Sequence, residues 1–244
     1  MNNNHDALDQ LLASLRLGSI RRSLPGALDR AQQTRPSYSE FLLELLSQEH
    51  TDKLNRQLEY RIKQSQLPER WTVESYPYEL QPTVRRTEIR QLAELDFLNG
   101  GHNIVFQGPT GVGKTGLASG LLLKALESGH RGLFVKAQDL FDEMYASLAD
   151  RSSRRLVNRL MNIDLLVIDE MGYLNLKPEQ TNVFFKLMDA RHRRRSTIIT
   201  TNLAYDQWYK FLGKKEMVEA LLDRLRQFCT TINIDGPSLR APAQ

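Results

Sequence analysis

The chain has 244 residues, 41% hydrophobic and 25% charged, with a single cysteine, Cys229, which excludes wholesale disorder, collagen-like repeats and a disulfide scaffold and suits one sizeable domain plus an extension. Its 33 Lys and Arg against 29 Asp and Glu give a net charge of +4, which permits a polyanionic partner without demanding one. A lone thiol favours a reducing compartment; Met1 to Asp9 lack a basic start and no apolar run approaches about 18 residues, so neither signal peptide nor membrane span is expected and a cytoplasmic protein is.

Residues 1–70 read as a helical domain. Leu8, Leu11, Leu12 and Leu15 form one stripe along Asp6 to Leu17, the spacing of a helix with one buried face. Pro25 and Gly26 should interrupt the next stretch. Ser37 and Glu40 form a capping box just after Pro36, and a long helix should follow, lined by Phe41, Leu42, Leu45 and Leu46 and continued by Leu54, Leu58 and Ile62 as far as Pro68. Such a helix suits partner docking; periodicity alone fits equally a helix packed on its own neighbours. Trp71 to Pro82 has aromatics and prolines without helical period, so a linker is expected over 71–94 and a second domain over 95–244.

In that second domain short β-rich runs alternate with helices, the pattern of a parallel sheet wrapped by crossover helices. The expected strands are Asn103 to Gln107, Gly132 to Lys136, Asp164 to Ile168, Thr197 to Thr201 and Cys229 to Ile234.

Gly108-Pro109-Thr110-Gly111-Val112-Gly113-Lys114-Thr115 matches the phosphate-loop pattern and lies between an apolar strand and the helical run Leu117 to Leu126, with Gly116 counted among the nucleotide-binding residues. Glycines permit a tight backbone whose amides face phosphate oxygens. Lys114 neutralises the β and γ phosphates, and the Thr115 hydroxyl ligates Mg2+. The apolar run Leu165 to Ile168 ends in Asp169 and Glu170 at the crevice edge of the sheet. Asp169 is placed to hold the metal shell, and Glu170 to orient or deprotonate the attacking water. A strand ending at Asn202 offers a group to position that water or sense the γ phosphate, or a simple strand-ending turn. Arg224, among Leu221, Leu222 and Leu225, reads as an arginine finger reaching a neighbouring subunit or as an ordinary surface Arg. No N-K-x-D segment for guanine is present, so ATP is expected.

Positive charge is concentrated in two places. Arg151, Arg154, Arg155 and Arg159 fall on one side of a predicted helix whose other side is Leu156, Val157 and Leu160; with Lys136 they form a candidate DNA-binding surface, a phosphate contact without base readout. The run Arg191-His192-Arg193-Arg194-Arg195 reads as a second such surface or as a solvated face.

Taken together, the phosphate loop, Asp169-Glu170-Met171-Gly172-Tyr173, the segment Ser196 to Asn202, Trp208, Leu222-Asp223-Arg224-Leu225 and Ile234-Asp235-Gly236 resemble the IstB/DnaC-type AAA+ ATPases of the initiator and helicase-loader branch, over roughly residues 95–240. The run from Ser37 to Glu49 resembles the IstB amino-terminal pattern. Thr110 and Thr201 stand where Pro and Ser are frequent. This resemblance implies a P-loop AAA+ ATPase with a five-stranded parallel sheet after a small helical domain. It implies a homo-oligomer with ATP and Mg2+ at subunit interfaces, which deforms duplex target DNA and recruits and stimulates an integrase-type transposase. A DnaC-like replicative helicase loader is the alternative. The short stretch after Arg224 leaves no room for a helical lid, so a neighbouring subunit is expected to complete the site.

Overall fold

A computed structural model of the protein describes residues 3–240 apart from positions 173 and 175, so Tyr173 of the motif after the acidic pair lies outside the described residues. The chain divides into two compact units, Met1–Tyr60 and Arg61–Gln244. No helix among the described residues is long and apolar enough to cross a membrane.

The first unit contains α1 (Asn3–Ser14), α2 (Gly18–Thr34) and most of α3 (Tyr38–Ser65). Leu12, Ile20, Ala27 and Leu45 form its core, with Leu17, Leu24 and Phe41 against it. The expected break at Pro25 does not occur, because α2 runs through it. A proline inside a helix costs about 3 kcal/mol, and the burial of Ile20 and Ala27 on either side of Pro25 keeps the helix continuous. The capping box forms as expected: Glu40 Oε2 accepts from the Ser37 amide at 2.8 Å and Ser37 Oγ accepts from the Glu40 amide at 3.3 Å. The apolar stripe of α3 is only partly used, since Leu45 is buried while Leu42, Leu46 and Leu54 stand exposed.

Glu49 ties α2 to α3. Its carboxylate is buried and accepts from the amides of Ser19 (2.7 Å) and Ile20 (3.0 Å), the first turn of α2, and from Arg56 at 2.9 Å. Leu17, at the N-cap position, offers no side-chain cap, so Glu49 supplies the acceptor and the negative charge that a helix start requires.

The second unit is a five-stranded parallel sheet in the order β2-β3-β4-β1-β5, with β1 Asn103–Gln107, β2 Gly132–Lys136, β3 Leu165–Met171, β4 Ser196–Thr201 and β5 Cys229–Asn233. α4 (Arg86–Ala93) precedes the sheet. α5 (Lys114–Glu127) follows β1, α6 (Ala137–Ala149) and α7 (Ser153–Met161) lie between β2 and β3, α8 (Pro178–Arg191) leads into β4, and α9 (Tyr209–Leu212) and α10 (Lys215–Gln227) lead into β5. Ile104, Val105 and Phe106 of β1 and Leu165 to Ile168 of β3 are wholly buried, as continuous apolar runs in a parallel sheet must be. β3 extends past its expected end. Its register with β4 shifts between Ile168 and Met171, a bulge at the acidic pair.

Three expectations change. Residues 71–94 are built into the second unit: Val73, Tyr76, Tyr78, Val84 and Ile89 are buried, and Tyr76 donates to the Val112 carbonyl at 2.8 Å. The contact boundary accordingly falls at residue 60, before the expected 70. Arg151 precedes α7 in a turn with φ of 57° and is not part of the helix face. Arg191 is 1% exposed and belongs to no solvated cluster. Its guanidinium donates to the carbonyls of Leu160 (2.6 Å), Ile163 (3.0 Å) and Ser196 (2.5 Å) and to Thr197 Oγ1 (3.1 Å). These bonds join the end of α7 to the start of β4.

Removing the Glu49 carboxylate leaves buried amides unpaired, a cost of roughly 1–3 kcal/mol. Glu49→Ala is expected to lower the thermal midpoint of the helical unit, read by far-UV circular dichroism. Burial alone would raise the Glu49 pKa, but the Ile20 and Ser19 amides and Arg56 outweigh it and the net shift is downward. Its contribution is therefore full above the ordinary carboxylate range and lost as pH falls through the lowered value, so the midpoint difference between wild type and variant should shrink on acidification.

Candidate nucleotide site

The carboxyl edges of β1, β3 and β4 lie side by side, with Gln107 paired to Thr201 and Ile168 to Ile199. Each strand delivers one polar element to the same crevice, where ligands of open parallel sheets bind. β1 delivers the loop from Gly108 to Gly113. Gly111 and Gly113 sit at φ of 91° and 90°, in the region that L side chains avoid, and Gly113 caps α5 so that the helix amides point into the crevice. Val112 turns inward and is buried. Lys114 Nζ donates to the carbonyls of Gly108 (2.8 Å) and Pro109 (2.6 Å). Burial, and then the charge of Arg240, depress its pKa against the opposing pull of Asp169 and Glu170.

From β3 come the two carboxylates. Asp169 is 2% exposed and receives the Thr115 hydroxyl at 3.0 and 3.2 Å and the Thr200 hydroxyl at 2.5 Å. Burial raises its pKa, and the Thr200 and Thr115 hydrogen bonds oppose the rise. Glu170 takes φ of 61° and reaches the cavity wall. β4 ends at Asn202 on the same wall. Thr110, Gly111, Gly113, Lys114, Thr115, Glu170, Thr200 and Asn202 line a cavity of about 510 Å³, bounded elsewhere by Pro68, Trp71, Gly116, Ser119, Leu239 and Arg240.

The donor set fits a nucleoside triphosphate. At one end stand the loop amides and Lys114 for the phosphates. At the other the Trp71 ring packs over Gly116, where a methyl group would come within 3.0 Å of it, and Ser119 Oγ is buried with no hydrogen-bond partner among the described residues. A buried orphan hydroxyl on a cavity wall is the kind of group that a ligand satisfies. A hydroxyl and a carboxylate in contact, Thr115 and Asp169, are hard oxygen donors suited to Mg2+, which binds through few protein ligands plus phosphates and water. No cluster of three or more His, Cys, Asp or Glu able to hold a metal occurs among the described residues.

The cavity thus unites Thr110, Gly111 and the run from Gly113 to Gly116 with Glu170 and Asn202, while Asp169 lies buried behind its wall, bonded to Thr115 and Thr200. Gly108, Pro109 and Val112 of the expected loop do not reach the wall. Nor does the cavity include Arg224, which lies on α10 beside a second cavity of about 200 Å³, exposed and paired with Asp189 of α8 at 2.9 Å. Lys136 ends β2 with its ammonium 3.9 Å from Glu170 Oε2, beside the carboxylate pair and apart from the arginines with which it is grouped above. On α7, Leu156 and Leu160 are buried and Arg154, Arg155 and Arg159 are exposed, Arg159 paired with Glu143 at 2.6 Å.

Sequence reasoning leaves several site residues unassigned. Thr200 lies in the quoted β4 run, and its signal is only that a hydroxyl in a wholly buried strand needs partners. Trp71 and Ser119 carry no motif. The return of residues 234–240 over the loop, fixed by the Leu239 amide on the Gly111 carbonyl (2.8 Å) and Gln81 Nε2 on the Pro237 carbonyl (2.7 Å), is a tertiary event. Among the described residues no helix follows β5.

Comparison with known proteins agrees with this geometry. A family described as IstB-like ATP binding protein matches residues 10–244. The chain is 34% identical to the ATP-binding protein of insertion sequence IS21 from Pseudomonas aeruginosa, over 96% of this chain and 88% of that one. It is also 34% identical to the counterpart of insertion sequence IS5376 from Geobacillus stearothermophilus, over 84% of this chain and 81% of that one. Among solved structures, the DnaC helicase loader superposes with a TM-score of 0.53 at 24% identity, covering 61% of this chain and 87% of that one. The replication initiator DnaA bound to AMPPCP and single-stranded DNA gives 0.58 at 18% identity, covering 69% and 50%. These likenesses establish the AAA+ P-loop fold, and the sequence match establishes that the chain belongs to the IstB-like ATP-binding proteins of insertion sequences.

Proposed function

We propose that this protein is an ATPase that assembles on duplex DNA, deforms it and recruits and stimulates the transposase encoded with it. The observation that carries the reading is that one cavity, with the buried Asp169 behind its wall, gathers the groups for ATP hydrolysis except a second cation, while Arg224 stands exposed outside it. In the proposed division of roles, the loop amides and Lys114 bind and orient the triphosphate. Thr115 and Asp169 would hold Mg2+, which would supply charge neutralisation to the triphosphate. Glu170 takes the proton of the attacking water, and Asn202 fixes that water or senses the γ phosphate. Arg224 of one subunit serves the nucleotide of the next, so ATP joins subunits and assembly precedes hydrolysis.

The exposed arginines of α7 support phosphate contact without base readout. Arg159 is paired with Glu143 and Arg155 feels the charge of Asp150, and the exposed Arg154 and Arg155 form the centre of the proposed DNA surface. Bending a site of about 20–30 base pairs costs on the order of 1–6 kcal/mol, which phosphate contacts repeated over several subunits can offset. A replicative helicase loader rests only on the shared fold, at an identity too low to carry partners across.

Lys114→Ala is expected to abolish ATP binding and ATP-dependent assembly, measured by light scattering with ATP, ADP and no nucleotide; intact ATP-dependent oligomers would refute the site. Duplex affinity equal in all three nucleotide conditions would refute the coupling of ATP to DNA, and a preference for single strands would favour the loader.

Glu170→Gln should retain ATP binding and assembly while hydrolysis falls at least about 100-fold. Arg224→Ala alone should also lose hydrolysis. Mixed with Lys114→Ala subunits it should regain part of it, because the mixed interface pairs an intact site with an intact arginine; no recovery would argue against action in trans.

Arg154→Ala combined with Arg155→Ala should weaken duplex binding for all sequences alike and reduce the slope of log affinity against log salt by about 2, one unit per lost phosphate contact.

A further inference from the structure

We infer that Thr200 is a positioning residue for ATP hydrolysis, one hydroxyl that sets both the metal-side carboxylate of Asp169 and the backbone of Glu170. The inference rests on the reading of Glu170 as the group that activates water.

In a regular strand successive side chains point to opposite faces, so Asp169 and Glu170 could not serve one crevice. The bulge in β3 solves this. Register with β4 is lost between Ile168 and Met171, and Glu170 takes φ of 61°, which carries its side chain to the cavity wall while Asp169 stays beneath the loop at Thr115. A bulge leaves a backbone group without its ladder partner, and a buried amide must be satisfied. The Glu170 amide donates to Thr200 Oγ1 at 2.9 Å, and the same hydroxyl donates to Asp169 Oδ1 at 2.5 Å. Thr200 is 1% exposed, so water does not readily replace it.

The two bonds run in series through one oxygen. Displacing the hydroxyl frees the left-handed turn at Glu170 and removes one of two hydroxyls that aim Asp169. Thr200 also lies on the cavity wall, but both bonds of its hydroxyl go to the Asp169–Glu170 pair, so it acts through the two carboxylates. Thr201 next to it has a different task, donating to the Met171 carbonyl at 2.6 Å and accepting from the Leu203 amide at 3.0 Å, which closes the other end of the bulge.

The experiment compares Thr200→Val, close in shape but without the hydroxyl, with Thr200→Ser, which keeps it, and runs Glu170→Gln beside them. ATP affinity, kcat and the Mg2+ concentration for half-maximal hydrolysis are measured on the full chain. For Thr200→Val the expected result is ATP affinity within about threefold of wild type, kcat lower by about 10- to 100-fold, and a higher Mg2+ requirement, with Thr200→Ser restoring both. Where Thr200→Val does not fold, Thr200→Ala removes the hydroxyl without adding a methyl group and takes its place. Wild-type kcat and Mg2+ dependence without the hydroxyl would overturn the inference, as would failure of Thr200→Ser to restore them. Normal hydrolysis by Glu170→Gln would instead overturn the reading of Glu170 itself.

Discussion

A carboxylate taken out of water must be held by donors or it gives up its charge. At Asp169 that constraint organises the site. Burial pushes the carboxyl toward its neutral form, and the hydroxyls of Thr200 and Thr115 oppose the push from opposite sides. One hydroxyl belongs to α5, immediately after the phosphate loop, and the other to the end of β4. Satisfying a single buried oxygen pair therefore fixes the loop, β3 and β4 relative to one another. The remaining features, the bulge that turns Glu170 outward, the placement of Asn202 and the reach of Lys114, follow from that three-way junction.

At the opposite edge of the sheet a buried cation has a comparable structural part. Arg191 is enclosed by three carbonyls and a hydroxyl, and burial lowers its pKa to about 9, still charged at neutral pH. It binds carbonyls just after α7 and at the start of β4, so the helix that bears the exposed arginines is anchored to the strand that bears Thr200 and Asn202. Beside it Arg195 pairs with Asp164 at 2.8 Å and Arg193 lies over the Phe228 ring. Three of the four arginines in that run thus have intramolecular partners, and Arg191 is withdrawn from the surface while Arg193 and Arg194 remain exposed.

Local chemistry made much of the molecule legible. β1 and β3 were visible because a parallel strand covered on both faces must be apolar, and the more polar β2, β4 and β5 because short β-rich runs alternate with helices. The phosphate loop was visible because its backbone demands glycine at Gly111 and Gly113, and the capping box at Ser37 and Glu40 because it closes within one turn. The continuity of α2 through Pro25 was not visible, since it depends on burial of Ile20 and Ala27 against other helices. Nor was the packing of residues 71–82, where a segment without helical period gains its order from the nucleotide domain beneath it.

The sequence by itself determined the sheet, the loop and the family, because these depend on periodicity and on residue types at fixed short spacing. Only the tertiary structure decided which polar groups meet. The pairing of Glu49 with the start of α2, of Thr200 with both Asp169 and Glu170, and of Arg224 with Asp189 joins residues about 30 positions apart or more. The physical reason is that a polar group takes the nearest partner in space, and nearness in space is set by how the layers pack.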